Sequence, residues 1–134
     1  MIVRTLAEIL NTDREVKGKT WVSRRLLVQG DQLGFSLHDT VIRAGTETAM
    51  WYRHHVEAVY CIEGTGRLLE RDTGKTHVIA PGTVYALDQH DRHVLYAETD
   101  LRLVCVFNPA LVGDEQHDAE GGYVPRSESE RKTP

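Results

Sequence analysis

The sequence predicts an all-β fold, a small antiparallel barrel or sandwich, and three observations lead there. Short runs rich in Val, Leu, Thr and Tyr follow one another through most of the chain. Gly, Asp and Pro turns break these runs every few residues. The gaps between runs leave no room for crossover helices, which excludes a parallel sheet. At 134 residues the chain fits one domain around one core.

The elements follow in order. "MIVR" reads as a short strand and "TLAEIL" as a short helix. The strand runs are then "SRRLLV", "GFSLHDTVI", "EAVYCIEG", "GRLLER", "KTHVIA", "TVYALD", "HVLYAE" and "LRLVCVFNP". "DTGK" is a hairpin turn in which Gly74 is free to take positive φ. "APGT" is a second tight turn, built on the fixed φ of Pro81 beside Gly82. After Pro109 the apolar pattern stops. The polar stretch "DAEGGYVPRSESERKTP" suggests a barrel domain over 1–117 and a flexible polar tail over 118–134.

Charge narrows the partners. The 16 Lys and Arg are outnumbered by 20 Asp and Glu, with no long block of either sign. Nucleic acid and anionic membrane surfaces both call for a basic patch, so neither is expected as a partner. The opening "MIVRTLAEILNTDRE" has charges among its apolar residues and no small-residue cleavage site, unlike a signal peptide. No apolar run approaches the length of a membrane span. Cys61 and Cys105 each sit in an apolar strand run, as reduced core thiols of a cytoplasmic protein would.

The motif with chemical content begins at Gly45. Five residues follow, then Trp51, one residue, Arg53, three residues, Glu57, six residues and Gly64. Its counterpart is Gly74, five residues, Ala80-Pro81-Gly82, two residues and Tyr85. These spacings resemble the two motifs of the cupins, which are double-stranded β-helix barrels. Trp51, Arg53 and Tyr85 hold positions where cupins usually carry histidine, while the glutamate position is kept as Glu57.

More specifically, "MIVRTL", "WVSRRLL", "GFSLHDT", "AGTET", "WYRHHVEAVYCIEGTG", "PGTVYALDQHDRH" and "LVCVFNPALVG" together resemble the ectoine synthase family. The match runs from residue 1 to about Tyr123. Ala49-Met50 and His54 depart from the family pattern, at positions to which no chemistry is assigned.

Glu57 stands out from its surroundings alone. It shares a strand face with His55, Val59 and Cys61, while Val56, Ala58, Tyr60 and Ile62 make the other face. Apolar residues on both sides suggest a strand buried on each face. A carboxylate there needs a cation or a hydrogen-bond network. The resemblance implies that Glu57, Tyr85 and His93 hold a metal, with iron(II) (Fe2+) the expected ion. Taken singly, Tyr85 reads as a barrel tyrosine capped by a hydrogen bond and His93 as a solvated turn residue. A phenol has an ordinary pKa of about 10, so its binding through oxygen at neutral pH requires a cation that stabilises the phenolate.

The resemblance further implies an intramolecular condensation of N-γ-acetyl-L-2,4-diaminobutyrate to ectoine and water, in a homodimer. It implies a pocket of Trp21, Arg25, Thr40, Tyr52, His55, Phe107, Glu115 and His117. Arg25 suits a bidentate contact with the substrate carboxylate, and Trp21 and Phe107 suit apolar walls. Tyr52, Glu115 and His117 are candidates for proton transfer, with acid and base left unassigned. Read without the family, Arg25 is a surface charge, Phe107 ordinary core, and Glu115 and His117 part of a solvated tail. If the latter two act, the tail must fold over the barrel mouth as a lid. Strand alternation separates Tyr52 from His55, so both reach one cavity only if the chain bends between them. His38 and His77 read as strand-surface residues. Two rival functions are a non-catalytic small-ligand sensor and a cupin isomerase or dioxygenase with another substrate.

Overall fold

The computed structural model describes residues 1–125 of the chain. Its elements are α1 (Leu6–Ile9), β1 (Glu15–Lys17), β2 (Trp21–Leu27), β3 (Ser36–Ile42), β4 (Glu47–Met50), β5 (Val56–Glu63), β6 (Gly66–Glu70), β7 (Thr76–Ile79), β8 (Val84–Leu87), β9 (His93–Ala97) and β10 (Leu101–Asn108). One sheet runs β1-β2-β3-β10-β5-β8 and the other β4-β9-β6-β7. Every pairing is antiparallel. A single apolar core spans both sheets, joining Cys61, Leu103 and Phe107 of the first to Leu68, Ile79 and Leu95 of the second. Both cysteines are free and buried, as their apolar runs suggested.

Strand alternation decides what faces this core. β10 buries Leu101, Leu103, Cys105 and Phe107 and turns the residues between them outward. Register carries the same face across the sheet. Arg25 lies opposite His38, His38 opposite Cys105, Cys105 opposite Val59, and Val59 opposite Tyr85. A neighbouring row runs Ser36, Phe107, Glu57, Leu87. Charged and aromatic side chains thus enter the interior at fixed strand positions.

The outcome differs from the sequence reading in four places. "MIVR" is not a strand. An apolar run becomes one only beside a neighbour, and Arg4 instead ties this segment to Leu26 O at 2.6 Å and to the Asp31 carboxylate. β1 and β4 went unread because each is short and alternates around polar residues, as in "ETAM". β5 is buried on one face only, since Val56 and Tyr60 are 40% and 47% exposed. Finally, the folded chain continues past the expected boundary at 117: Gly121, Gly122 and Tyr123 are all buried. Most of the expected tail, 126–134, lies outside the described residues.

The turn from β5 to β6 depends on Gly64. Its φ is +91°, and a Cβ there would stand 2.0 Å from Asp100 O. Both the conformation and the space exclude a side chain. Gly64→Ala is therefore expected to cost about 2 kcal/mol or more in urea unfolding. Wild-type stability in that variant would contradict this packing.

Candidate active site

Between the sheets lies a small cavity of about 40 Å³. Seven of the expected site residues line it: Trp21, Thr40, Tyr52, Glu57, Tyr85, Phe107 and His117. Ser23, His38, Cys105 and Tyr123, which the sequence reading did not select, line it as well. The volume is near that of one or two waters, so this is a narrow chamber.

Glu57 is 6% exposed, and burial pushes its carboxyl up to about 8, with the Cys105 thiol as its hydrogen-bond neighbour. Tyr85, opposite Val59 on β8, is held well above the usual phenol range by the same burial and by Glu57. His93 enters from the second sheet at the start of β9. Its Nδ1 lies 2.9 Å from Asp91 O. That contact makes Nδ1 the protonated nitrogen and leaves the Nε2 lone pair free. Nε2 is buried with no hydrogen-bond partner among the described residues. His93 lies outside the chamber wall but lines, with Tyr85, an adjoining cavity between the open edges of β7 and β8.

These residues suit a divalent cation. A costly carboxylate and an imidazole lone pair without a donor are both relieved by one. Among the described residues no group of three His, Cys, Asp or Glu side chains is placed to hold an ion. A site at Glu57 and His93 needs a third ligand of another type, and Tyr85 is an oxygen donor on both cavities. Trp51 and Arg53, at the usual histidine positions, face outward. The Arg53 guanidinium lies 5.0 Å over the Trp51 ring, whose Nε1 donates to His90 O at 3.0 Å.

The chain does bend between Tyr52 and His55, which both lie buried in the loop joining β4 to β5. Tyr52 OH is 2.9 Å from His117 Nε2. Burial, helped by the Arg25 charge, pushes His117 down to about 4, and burial holds Tyr52 well above its ordinary value. At neutral pH a neutral imidazole and a neutral phenol therefore share this hydrogen bond, and the Tyr52 hydroxyl also lies 3.3 Å from Met50 Sδ as a donor. His55 is buried outside the wall, edge-on to Phe107 at 5.9 Å, with no partner for its Nδ1 among the described residues.

Arg25 and Glu115 also lie outside the wall. Arg25 is fully buried, and its Nε donates to Ser23 Oγ at 3.2 Å. Its Nη1 has no hydrogen-bond partner among the described residues, though Glu115 Oε1 is 3.9 Å away. The two oxygens of Glu115 accept from the N–H groups of Val112 and Gly113, each at 2.8 Å. Proton transfer at Glu115 would disturb one of these bonds, so its geometry suits an anchor beside Arg25 better.

His38 corrects the sequence reading most clearly. It is 1% exposed, with Nδ1 3.3 Å from Ser23 Oγ and Nε2 3.0 Å from Ser36 Oγ. Its ring lies 5.2 Å from that of Phe107. The signal was available, since His38 shares the period-two face of Ser36 and Thr40 on β3. His77 is an exposed strand residue paired with Glu70, in keeping with the sequence reading.

The pH dependence follows from the signs. His117 is held below its unfolded value of 6.5, so the folded chain resists its protonation. His38, His55 and His93 shift in the same direction, each first through burial. Their stabilisation is full above pH 6.5 and is lost as pH falls, His117's share by about pH 4. Glu57, raised from 4.5 to about 8, acts in the opposite sense over part of this range, one group against four. The unfolding free energy should still fall between these limits, with a shallower slope in His117→Gln. Equal slopes in variant and wild type would contradict the assignment.

Comparison with known proteins fits this geometry. Residues 1–127 match the sequence model of a family described as ectoine synthase. The chain is 58% identical over 125 residues to L-ectoine synthase of Desulfatibacillum aliphaticivorans, covering 92% of this chain and 96% of that protein. It is 54% identical over 123 residues to L-ectoine synthase of Oceanobacillus iheyensis, with the same coverage. The crystal structure of ectoine synthase from P. lautus superposes with a TM-score of 0.84 at 56% identity, covering 90% of this chain and 87% of that one. The polyketide cyclase RemF from Streptomyces resistomycificus, at 19% identity and a TM-score of 0.64 over 81% of this chain and 80% of that one, shares the fold alone. With its cupin-type β-barrel and a match along nearly its whole length, this chain belongs to the ectoine synthase family.

Proposed function

We propose that the chain closes N-γ-acetyl-L-2,4-diaminobutyrate to the cyclic amidine ectoine, with loss of water. The observation that carries this reading is a narrow chamber that sets a costly carboxylate, Glu57, near a hydrogen-bonded phenol–imidazole pair, Tyr52 and His117. The α-amine attacks the acetamide carbonyl, a carbinolamine forms, and its oxygen leaves as water. An amide is a poor electrophile, the amine must be neutral to attack, and the oxygen must be protonated to leave.

Each demand has a residue suited to it. The orphaned Nη1 of Arg25 is a donor for the substrate carboxylate. His117, neutral at pH 7, and Tyr52, hydrogen-bonded to it, are the proton-transfer pair, with acid and base unassigned between them. Thr40 adds a hydrogen bond, while Trp21 and Phe107 exclude water from the wall they share. Glu57, Tyr85 and His93 hold iron(II), which when bound supplies Lewis-acid polarisation of the carbonyl. Folding a flexible diamine into attacking geometry is the chamber's own contribution.

The chamber as described is smaller than such a substrate. The Asp118–Tyr123 segment adds Tyr123 to its wall and is held by Trp51 N–H to Gly121 O at 3.1 Å and by Arg53 to Glu120 at 2.6 Å. We assign this segment the part of a lid that opens to admit substrate. A homodimer is supported by the open edge of β8 and by the exposed Tyr60 and Val84, which are register partners on β5 and β8. No described helix is long and apolar enough to cross a membrane, and we assign the chain to the cytoplasm.

NMR of the acetylated diamine with iron-loaded protein tests the reaction. Ring closure is expected, and its absence would defeat the reading, leaving a ligand-binding cupin. Tyr85→Phe and His93→Ala should each lower bound iron and turnover together, by about tenfold or more. Full iron occupancy in both variants would remove the ligand assignment. Light scattering should give twice the chain mass, and a monomer would refute the dimer.

A further inference from the structure

Tyr123 lies in a stretch, "EGGY", that reads as polar tail, yet it is 4% exposed and part of the chamber wall. Two glycines bring it there. A Cβ at Gly121 would stand 2.3 Å from Ala49 O, and one at Gly122 would stand 2.3 Å from Trp51 O. Only bare backbone can lie this close to the chain leading into Tyr52. The tyrosine that follows is thus set by the main-chain contacts of the two residues before it.

Its ring stacks on Tyr52, with centroids 5.4 Å apart and planes inclined by 21°. It is 4.9 Å from the His117 ring and meets Phe107 edge-on at 5.5 Å. Its hydroxyl accepts from Arg25 Nη2 at 3.4 Å, and the guanidinium carbon lies 5.7 Å from its ring centre. Packing alone would be served by phenylalanine, because a buried hydroxyl adds a desolvation cost that only a partner offsets. The partner here is Arg25, whose Nε donates to Ser23 and whose Nη1 faces the Glu115 carboxylate at 3.9 Å, an ion pair without a hydrogen bond.

We propose that Tyr123 is a positioning residue for the cyclisation: its hydroxyl turns the Arg25 guanidinium so that Nη1 is offered to the substrate carboxylate, and its ring holds Tyr52 against His117. This rests on the roles given above to Arg25, Tyr52 and His117. One residue of the closing segment then couples closure to both substrate binding and proton transfer. An open segment leaves Arg25 unaligned and the phenol–imidazole pair unsupported.

Steady-state kinetics of Tyr123→Phe, Arg25→Lys and the double variant test the hydroxyl. Tyr123→Phe should raise KM roughly tenfold and leave kcat within about twofold of wild type. Arg25→Lys should raise KM as well, and adding Tyr123→Phe to it should raise KM no further, because the coupling partner is gone. Tyr123→Leu, which removes the ring, should also lower kcat by about tenfold or more. Melting temperatures of all variants are compared, and Tyr123→Phe should match wild type. If Arg25→Lys raises KM while Tyr123→Phe does not, or if the two effects multiply, the proposal is overturned and the role of Arg25 stands. If Arg25→Lys leaves KM unchanged, the carboxylate assignment to Arg25 fails first and the proposal falls with it.

Discussion

The cost of burying Glu57 governs the rest of the site. A carboxyl pushed to about 8 is mostly protonated at pH 7, and the Cys105 thiol beside it offers the charged form only weak compensation. The folded chain alone does not relieve that cost, but a cation does. The Nε2 of His93 is likewise buried with no partner among the described residues, and the Tyr85 phenol is held neutral by burial and by Glu57. Together the three would offer a divalent cation a carboxylate, an imidazole and a phenol oxygen. Function and stability are therefore opposed at these positions unless the ion is bound.

The architecture spends its regularity on this arrangement. The six-stranded sheet carries Glu57 and Tyr85 inward on adjacent strands, and the four-stranded sheet supplies His93. The barrel thus carries the proposed metal donors on strands, with Trp21, Arg25, Thr40 and Phe107 beside them, while the other groups assigned to the organic substrate come from less regular chain. Tyr52 and His55 lie in the loop between β4 and β5, and Glu115, His117 and Tyr123 lie beyond β10. Fixed electrostatics on strands and movable groups on loops suit an enzyme that must open to a chamber otherwise too small for its substrate.

Legibility in the sequence divided along the same line. Alternation and turn residues gave eight of the ten described strands, β2, β3 and β5 to β10, and their antiparallel pairing, because burial on one face imposes a period of two. The same period read at His38 would have put it inward with Ser36 and Thr40. Glu57 was visible as a charge in an apolar run. Tyr85 and His93 were visible as ligands only through the family resemblance, since nothing local distinguishes a ligand tyrosine from a packed one. Tyr123 was hidden because a segment that packs through two glycines and one ring has no periodicity to detect. β5 was misread as buried on both faces because apolar Val56 and Tyr60 lie on its outer side.

The central claim is that the Tyr85 phenol binds an ion with Glu57 and His93. Optical spectroscopy of iron-loaded, air-oxidised protein addresses it directly, since a phenolate bound to ferric iron gives a charge-transfer band in the visible. The account predicts that band in the wild type and its loss in Tyr85→Phe. A band that survives the substitution, or none in the loaded wild type, would contradict it.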